Sequence, residues 1–250
     1  MSYDHGRFVW FELITADADK ANAFYGELFG WKTEAMEMPG GMKYPLVKLG
    51  DNPIAGFAPP PKAGIPPHWV SYVSVADVDA AAKKVLAAGG KTLMEAFDVP
   101  GVGRMQPVTD AEGAALFLFK AAEGDRPAAE GVGAFHWNEL WAADAKAAVA
   151  FYEKAFGYTH DEMKMPNGTY YLLKSGDQMR GGVMTAPPTG APPHWTQYVT
   201  VDDVDAALAR AKRGGGKQVG DVMEVEGVGR FGFVQDTLGA VIGIIKPAAR

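Results

Sequence analysis

The chain contains no cysteine, which excludes disulfides, thiolate metal sites and cysteine nucleophiles together. Basic residues are also in deficit: 24 Lys and Arg against 30 Asp and Glu give a net charge of −6, and no run of Lys or Arg stands out. The electrostatic footprint of a nucleic-acid binder is therefore missing, and acidic membranes should repel the protein. No apolar stretch approaches the roughly 20 residues of a membrane span. The opening Met1-Ser2-Tyr3-Asp4-His5 lacks the basic-then-apolar grammar of a signal peptide. A cytoplasmic protein is the expectation. What is present is a hydrophobic content of 48% and an aromatic content of 11%, which favour packed interiors over disorder. The length, 250 residues, suffices for two ordinary domain cores.

The chain states nearly the same pattern twice. Phe8-Val9-Trp10-Phe11-Glu12-Leu13 returns as Phe135-His136-Trp137-Asn138-Glu139-Leu140, and Phe24-Tyr25 returns as Phe151-Tyr152, each offset by 127. After a one-residue gap the offset is 126: Pro66-Pro67-His68-Trp69 pairs with Pro192-Pro193-His194-Trp195, Gly103-Arg104 with Gly229-Arg230, and Asp110 and Gly113 with Asp236 and Gly239. An offset held from end to end marks duplication of a whole domain rather than a solenoid repeat. The expected domains are 8–120 and 135–247, joined by a linker over 121–134 whose small, polar, Gly- and Pro-broken composition suits that role.

Within copy one, an aromatic strand over Phe8 to Ile14 meets Asp17 as N-cap, and Ala21, Phe24 and Leu28 fall at helical spacing before Gly30. Strands are predicted over Lys32 to Met38, Tyr44 to Leu49 and Pro53 to Phe57. The pattern restarts with a strand over Trp69 to Val75, Asp77 as N-cap, and Val78, Ala81, Ala82, Val85 and Leu86 on one helical face. Strands near Lys91 to Phe97, Gly103 to Thr109 and Ala114 to Phe119 complete the copy. Pro-rich Ala58-Pro59-Pro60-Pro61 and Ala186-Pro187-Pro188 read as stiff connectors between the two units of each copy.

The order strand, helix, three strands, repeated four times, with Phe-Tyr in the first helix, Asp-Val-Asp opening the second and Asp-x-x-Gly before the last strand, resembles the vicinal oxygen chelate superfamily. Glyoxalase I, bleomycin-resistance proteins and extradiol dioxygenases belong to it. The resemblance implies an α+β fold of two tandem glyoxalase-like domains, each of two βαβββ units in a partly closed mixed β-barrel. It also implies a cleft in which His, Gln or Glu side chains commonly hold a divalent metal. Matched to this chain, those positions fall at Trp10 and Trp137, Val70 and Thr196, and Phe117 and Gly243, none a conventional metal ligand. No cofactor is expected, with a divalent metal at a relocated site as the alternative.

Residues two apart on a strand share a face. If Trp10 occupies an inward position, so does Glu12; if Val70 does, so do His68 and Tyr72. Copy two repeats this with Trp137 and Glu139, and with His194 and Tyr198, while Arg104 and Arg230 add a cation at the edge. These ten residues are the candidate ligand-binding set; no catalytic residue is assigned. A buried carboxylate is costly unless paired, and pairing of Glu12 or Glu139 with Arg104 or Arg230 is the simplest structural explanation. For His68 and His194 it is a bond to nearby backbone at strand entry. The expected function is metal-free binding of a small aromatic or cationic molecule by a monomer or homodimer, with no nucleic-acid or membrane partner. The alternative is a lyase, isomerase or dioxygenase that uses a relocated metal or a Glu/His acid-base pair.

Overall fold

A computed structural model describes residues 2–249 apart from 39, 42, 166, 167 and 187–189, so the prolines Pro187 and Pro188 of the second connector lie outside the described residues. Copy one runs β1 (Phe8–Ile14), α1 (Ala18–Phe29), β2 (Lys32–Glu37), β3 (Lys43–Leu49), β4 (Asn52–Ala58), then β5 (His68–Ser74), α2 (Val78–Ala87), β6 (Lys91–Thr92), β7 (Phe97–Val99), β8 (Gly103–Thr109) and β9 (Ala115–Ala121). Copy two runs β10 (Phe135–Ala142), α3 (Ala145–Phe156), β11 (Thr159–Met165), β12 (Gly168–Ser175), β13 (Gln178–Thr185), then β14 (His194–Thr200), α4 (Val204–Arg213), β15 (Lys217–Val225), β16 (Gly229–Gln235) and β17 (Val241–Pro247). The fold class is α+β, and each copy is built from two βαβββ units.

Aspartate starts each of these helices. The side chains of Asp17, Asp77, Asp144 and Asp203 accept from backbone N–H groups of the first turn, at Lys20, Ala80, Ala147 and Ala206, satisfying donors that a helix cannot pair internally. Gly30 and Gly157 end α1 and α3 in the left-handed region, at φ 73° and 70°, where a Cβ would be strained.

The strands form two mixed sheets with the same order, β2-β3-β4-β1-β5-β9-β8-β6 with β7 also on β8, and β11-β12-β13-β10-β14-β17-β16-β15. The helix crossovers make β1 parallel to β4 and β10 parallel to β13, as connections through a helix permit. The expected strand over Lys91 to Phe97 is instead split into β6 and β7. Leu93 N–H donates to the Pro107 carbonyl, 2.9 Å, but Pro107 has no N–H to return, and the Gln106 side chain donates to the Met94 carbonyl instead, 3.0 Å. In copy two the matching position is Phe233, which keeps its N–H, and β15 runs through with one register shift. Leu86 also departs from expectation: it is 51% exposed, off the buried stripe of Val78, Ala81, Ala82 and Val85.

The chain divides into two compact units that are not the two sequence copies. One contains residues 1–10, 70–127 and 138–196; the other contains 11–69, 128–137 and 197–250. Each unit therefore combines most of one βαβββ module from copy one with most of one from copy two. In the first, helices α2 and α3 pack together; in the second, α1 and α4 do.

A matched buried network lies in each unit. In the first, the Tyr152 hydroxyl donates to Asp110 Oδ2 at 3.2 Å and accepts from Trp195 Nε1 at 2.8 Å. Asp110 Oδ1 accepts from the N–H groups of Glu112 and Ala114. In the second, the Tyr25 hydroxyl donates to Asp236 Oδ2 at 3.0 Å and accepts from Trp69 Nε1 at 3.0 Å, with Asp236 Oδ1 on the N–H groups of Leu238, Gly239 and Ala240. The Phe-Tyr of each copy's first helix thus meets the Asp-x-x-Gly turn of the other copy. Burial pushes both phenols well above the ordinary tyrosine range, and the adjacent carboxylates add to it. Burial likewise raises the Asp110 carboxyl, against the opposing pull of its N–H donors.

Tyr152→Phe removes the donor to Asp110 and the acceptor for Trp195, so the urea midpoint should fall by the equivalent of about 1–3 kcal/mol with an unchanged m-value; an unaltered midpoint would remove the network from the account of stability. Because the Asp110 value is raised in the folded state, its contribution is complete below the unfolded value near about 3.9 and is lost as pH rises through the folded value. The stability of the native protein relative to Asp110→Asn should therefore decline over that window, as urea titrations at stepped pH would show.

Candidate functional site

The candidate site grows from the most costly groups in the sheets, Glu12 on β1 and Glu139 on β10, each only 8% exposed. A carboxylate buried to this degree requires hydrogen-bond donors, and in both copies a tyrosine two strands away provides one. Tyr44 Oη donates to Glu12 Oε1 at 2.7 Å, and Tyr170 Oη to Glu139 Oε2 at 2.8 Å.

Glycine on the intervening strand permits this reach. Glu12 is in register with Gly56 of β4, which is in register with Leu46 of β3, two residues beyond Tyr44 on the same face. In copy two, Glu139 is in register with Gly182, and Gly182 with Leu172, two beyond Tyr170. A Cβ on Gly56 or Gly182 would stand 1.9 Å from the tyrosine oxygen, so each phenol lies where a side chain would otherwise be.

The copies differ at the next position on the same face. Trp141 Nε1 donates to Glu139 Oε1 at 2.7 Å, so in copy two phenol and indole hold opposite oxygens of one carboxylate. Copy one has Ile14 there, which offers no donor. The Trp141 ring also meets the His194 imidazole, 5.5 Å between centroids. Glu139, Trp141, Tyr170 and His194 are thus brought together in the first unit, and Glu12 and Tyr44 in the second.

His68 and His194 are half-buried at strand entry, each with Nδ1 on the carbonyl of the residue two before it, Pro66 or Pro192, at 2.8 Å. The backbone bond expected at strand entry is present in both copies. Tyr72 stacks on Phe117, centroids 4.3 Å apart and planes 5° apart. Tyr198 packs edge-on to Phe231 and Phe233, and a Cβ on Gly243 would come within 2.6 Å of its ring. Trp10 and Trp137 are half-buried.

Arg104 pairs with Asp79 at 2.9 Å and Asp98 at 2.7 Å, and Arg230 with Asp205 at 2.9 Å and Glu224 at 3.5 Å. The guanidinium beside Asp79 holds that carboxyl below the ordinary range. The Asp-Val-Asp segments are accounted for in the same way: the first aspartate caps the helix and the second receives the arginine.

Two signals for this arrangement are present in the sequence. Tyr44 and Gly56 recur as Tyr170 and Gly182 at the constant offset of 126, and a glycine held at one strand position marks close approach by another group. Trp141 breaks the repeat, so it carried no such signal. His5 and His160, unmatched between the copies, have local roles: His5 Nε2 donates to the Phe156 carbonyl at 2.9 Å, and His160 Nδ1 lies 2.7 Å from Glu153.

Where the resemblance implies metal donors, the side chains are two indoles, Val70 and Thr196, and Phe117 and Gly243. Phe117 and Gly243 are moreover taken up in the packing of Tyr72 and Tyr198. Among the described residues no group of three or more His, Asp or Glu gathers as a metal would require. At these six positions the side chains do not fit a divalent ion.

Paired βαβββ modules in mixed sheets, duplicated in tandem, define the fold class. The chain belongs to the Glyoxalase/Bleomycin resistance protein/Dioxygenase superfamily, whose sequence pattern matches residues 7–117 and 134–244. It is 40% identical over 252 residues to CFP32 of Mycobacterium tuberculosis, provisionally named a glyoxylase, covering 98% of this chain and 97% of that protein. It is 30% identical over 227 residues to the anthracycline biosynthesis protein DnrV of Streptomyces peucetius, covering 84% and 82%. Its fold is similar to that of the Mn(II)-bound glyoxalase from Novosphingobium aromaticivorans, with a TM-score of 0.65 at 18% identity over 98% of this chain and 83% of that one.

Gly182→Ala should expel the Tyr170 hydroxyl from Glu139. The expected outcome is a loss of about 1–3 kcal/mol in unfolding titrations and a changed tyrosine signal in near-ultraviolet circular dichroism; a variant native in both would contradict the placement of Tyr170.

Proposed function

We propose that this protein binds planar aromatic molecules carrying a hydrogen-bond donor or a positive charge, at a buried glutamate in each copy, with no metal ion at the family's positions. The observation that carries this reading is the duplicated buried carboxylate, held by a phenol that only a glycine admits. Burying a carboxylate is costly even with a donor beside it, so its recurrence in both copies supports a binding role, and a fixed carboxylate among aromatic rings suits a flat cationic ligand through charge and stacking. Trp141, in contact with Glu139, enlarges the aromatic surface in copy two; Ile14 leaves copy one without it. The similarity to DnrV, whose name ties that relative to anthracycline biosynthesis, supports a fused-ring ligand. We place the protein in the cytoplasm as a monomer or homodimer acting on a small molecule rather than on nucleic acid or a membrane. Among the described residues no helix is long and apolar enough to cross a membrane.

Titration with daunorubicin, a planar anthracycline bearing phenolic hydroxyls and a protonated amine, should quench tryptophan fluorescence in two phases, because the copies differ at Ile14 and Trp141. Glu139→Gln should weaken one phase and Glu12→Gln the other, each by about tenfold. A double variant that binds as the native protein does would end this reading.

A further inference from the structure

In the Pro-Pro-His-Trp segment of each copy the indole is anchored in a buried network and the imidazole is bonded to a backbone carbonyl. On one face of the strand Trp195, 3% exposed, is fixed by its bond to the Tyr152 hydroxyl and so to Asp110; Trp69, 5% exposed, is fixed in the same way by Tyr25 and Asp236. The preceding histidine must then face the opposite side, because side chains alternate along a strand. Its remaining freedom is rotation of the ring, and the carbonyl two residues back restricts that. A carbonyl oxygen only accepts, so a 2.8 Å contact with Nδ1 requires the hydrogen to be on Nδ1. In the neutral ring the lone pair is then on Nε2. In copy two this ring lies against Trp141, which in turn donates to Glu139, so the imidazole is one indole away from the buried carboxylate.

We infer that His194, and His68 in the matching position, are ligand-contacting residues whose Nε2 accepts a hydrogen bond from a hydroxyl or N–H of the bound molecule. The inference rests on the binding reading above and narrows it. The ligand needs two donors, one directed to the glutamate and one to the imidazole, so a flat hydrocarbon or a plain quaternary cation would be a poor occupant. The duplicated element gives each ring the same tautomer, and the two sites would differ chiefly through Trp141.

Two measurements on the full chain test this. Long-range proton–nitrogen correlation spectra of histidine-labelled protein should show His68 and His194 as Nδ1–H tautomers at neutral pH, and the His194 Nε2 resonance should shift when daunorubicin is added. An Nε2–H tautomer in the free protein would overturn the inference whatever the ligand does. In fluorescence titrations, His194→Phe should weaken daunorubicin binding by about tenfold, whereas His194→Gln, which keeps an acceptor, should recover most of it. Unchanged affinity in His194→Phe alongside weakened affinity in Glu139→Gln would overturn the histidine role alone. Absence of daunorubicin binding by the native protein would overturn both.

Discussion

A carboxylate in the interior of a strand has few ways to be stable, and the arrangement around Glu12 and Glu139 follows from that constraint. Water is largely excluded, so donors must come from the protein. In each copy a phenol two strands away supplies one, and it reaches the carboxylate only because Gly56 or Gly182 has no side chain. One requirement thus fixes three residue types on three strands in each copy. The same requirement explains why the arginines are free to serve elsewhere: Arg104 and Arg230 pair with helix and strand aspartates.

On the other face of β5 and β14, the Tyr-Asp-Trp networks set the position of the strands that carry the histidines. Each network joins a helix of one copy to a turn of the other, which is why the compact units cut across the sequence repeat. Duplication allows this exchange, since two equivalent modules can each accept the other's partner. The Pro-Pro-His-Trp segment lies between the two systems. Its indole belongs to the buried network and its imidazole to the opposite face.

Much of the fold was legible because local chemistry determines it. The four capping aspartates and the two left-handed glycines can be read from residue type and spacing alone, and the duplication is visible as a constant offset. The split between β6 and β7 was not legible, because it depends on which residue Leu93 faces across the sheet, and Pro107 is fourteen positions away. Leu86 misled for a related reason: helical spacing gives a face but not where the covering layer ends. The glutamates were found by alternation and by the cost of burying charge. For their partners opposite charge suggests arginine as the simplest explanation, whereas register and glycine select tyrosine. Trp141 lay beyond reach, as a residue that departs from the repeat leaves no pattern to follow.

The central claim, that the two tyrosine-capped glutamates face a bound molecule, is tested most directly by infrared difference spectroscopy of the carboxylate stretching bands as daunorubicin is added. The account predicts a ligand-induced shift in these bands for the native protein, reduced in each single Glu→Gln variant and absent when Glu12 and Glu139 are both replaced by glutamine. A shift of native size in the double variant would contradict it.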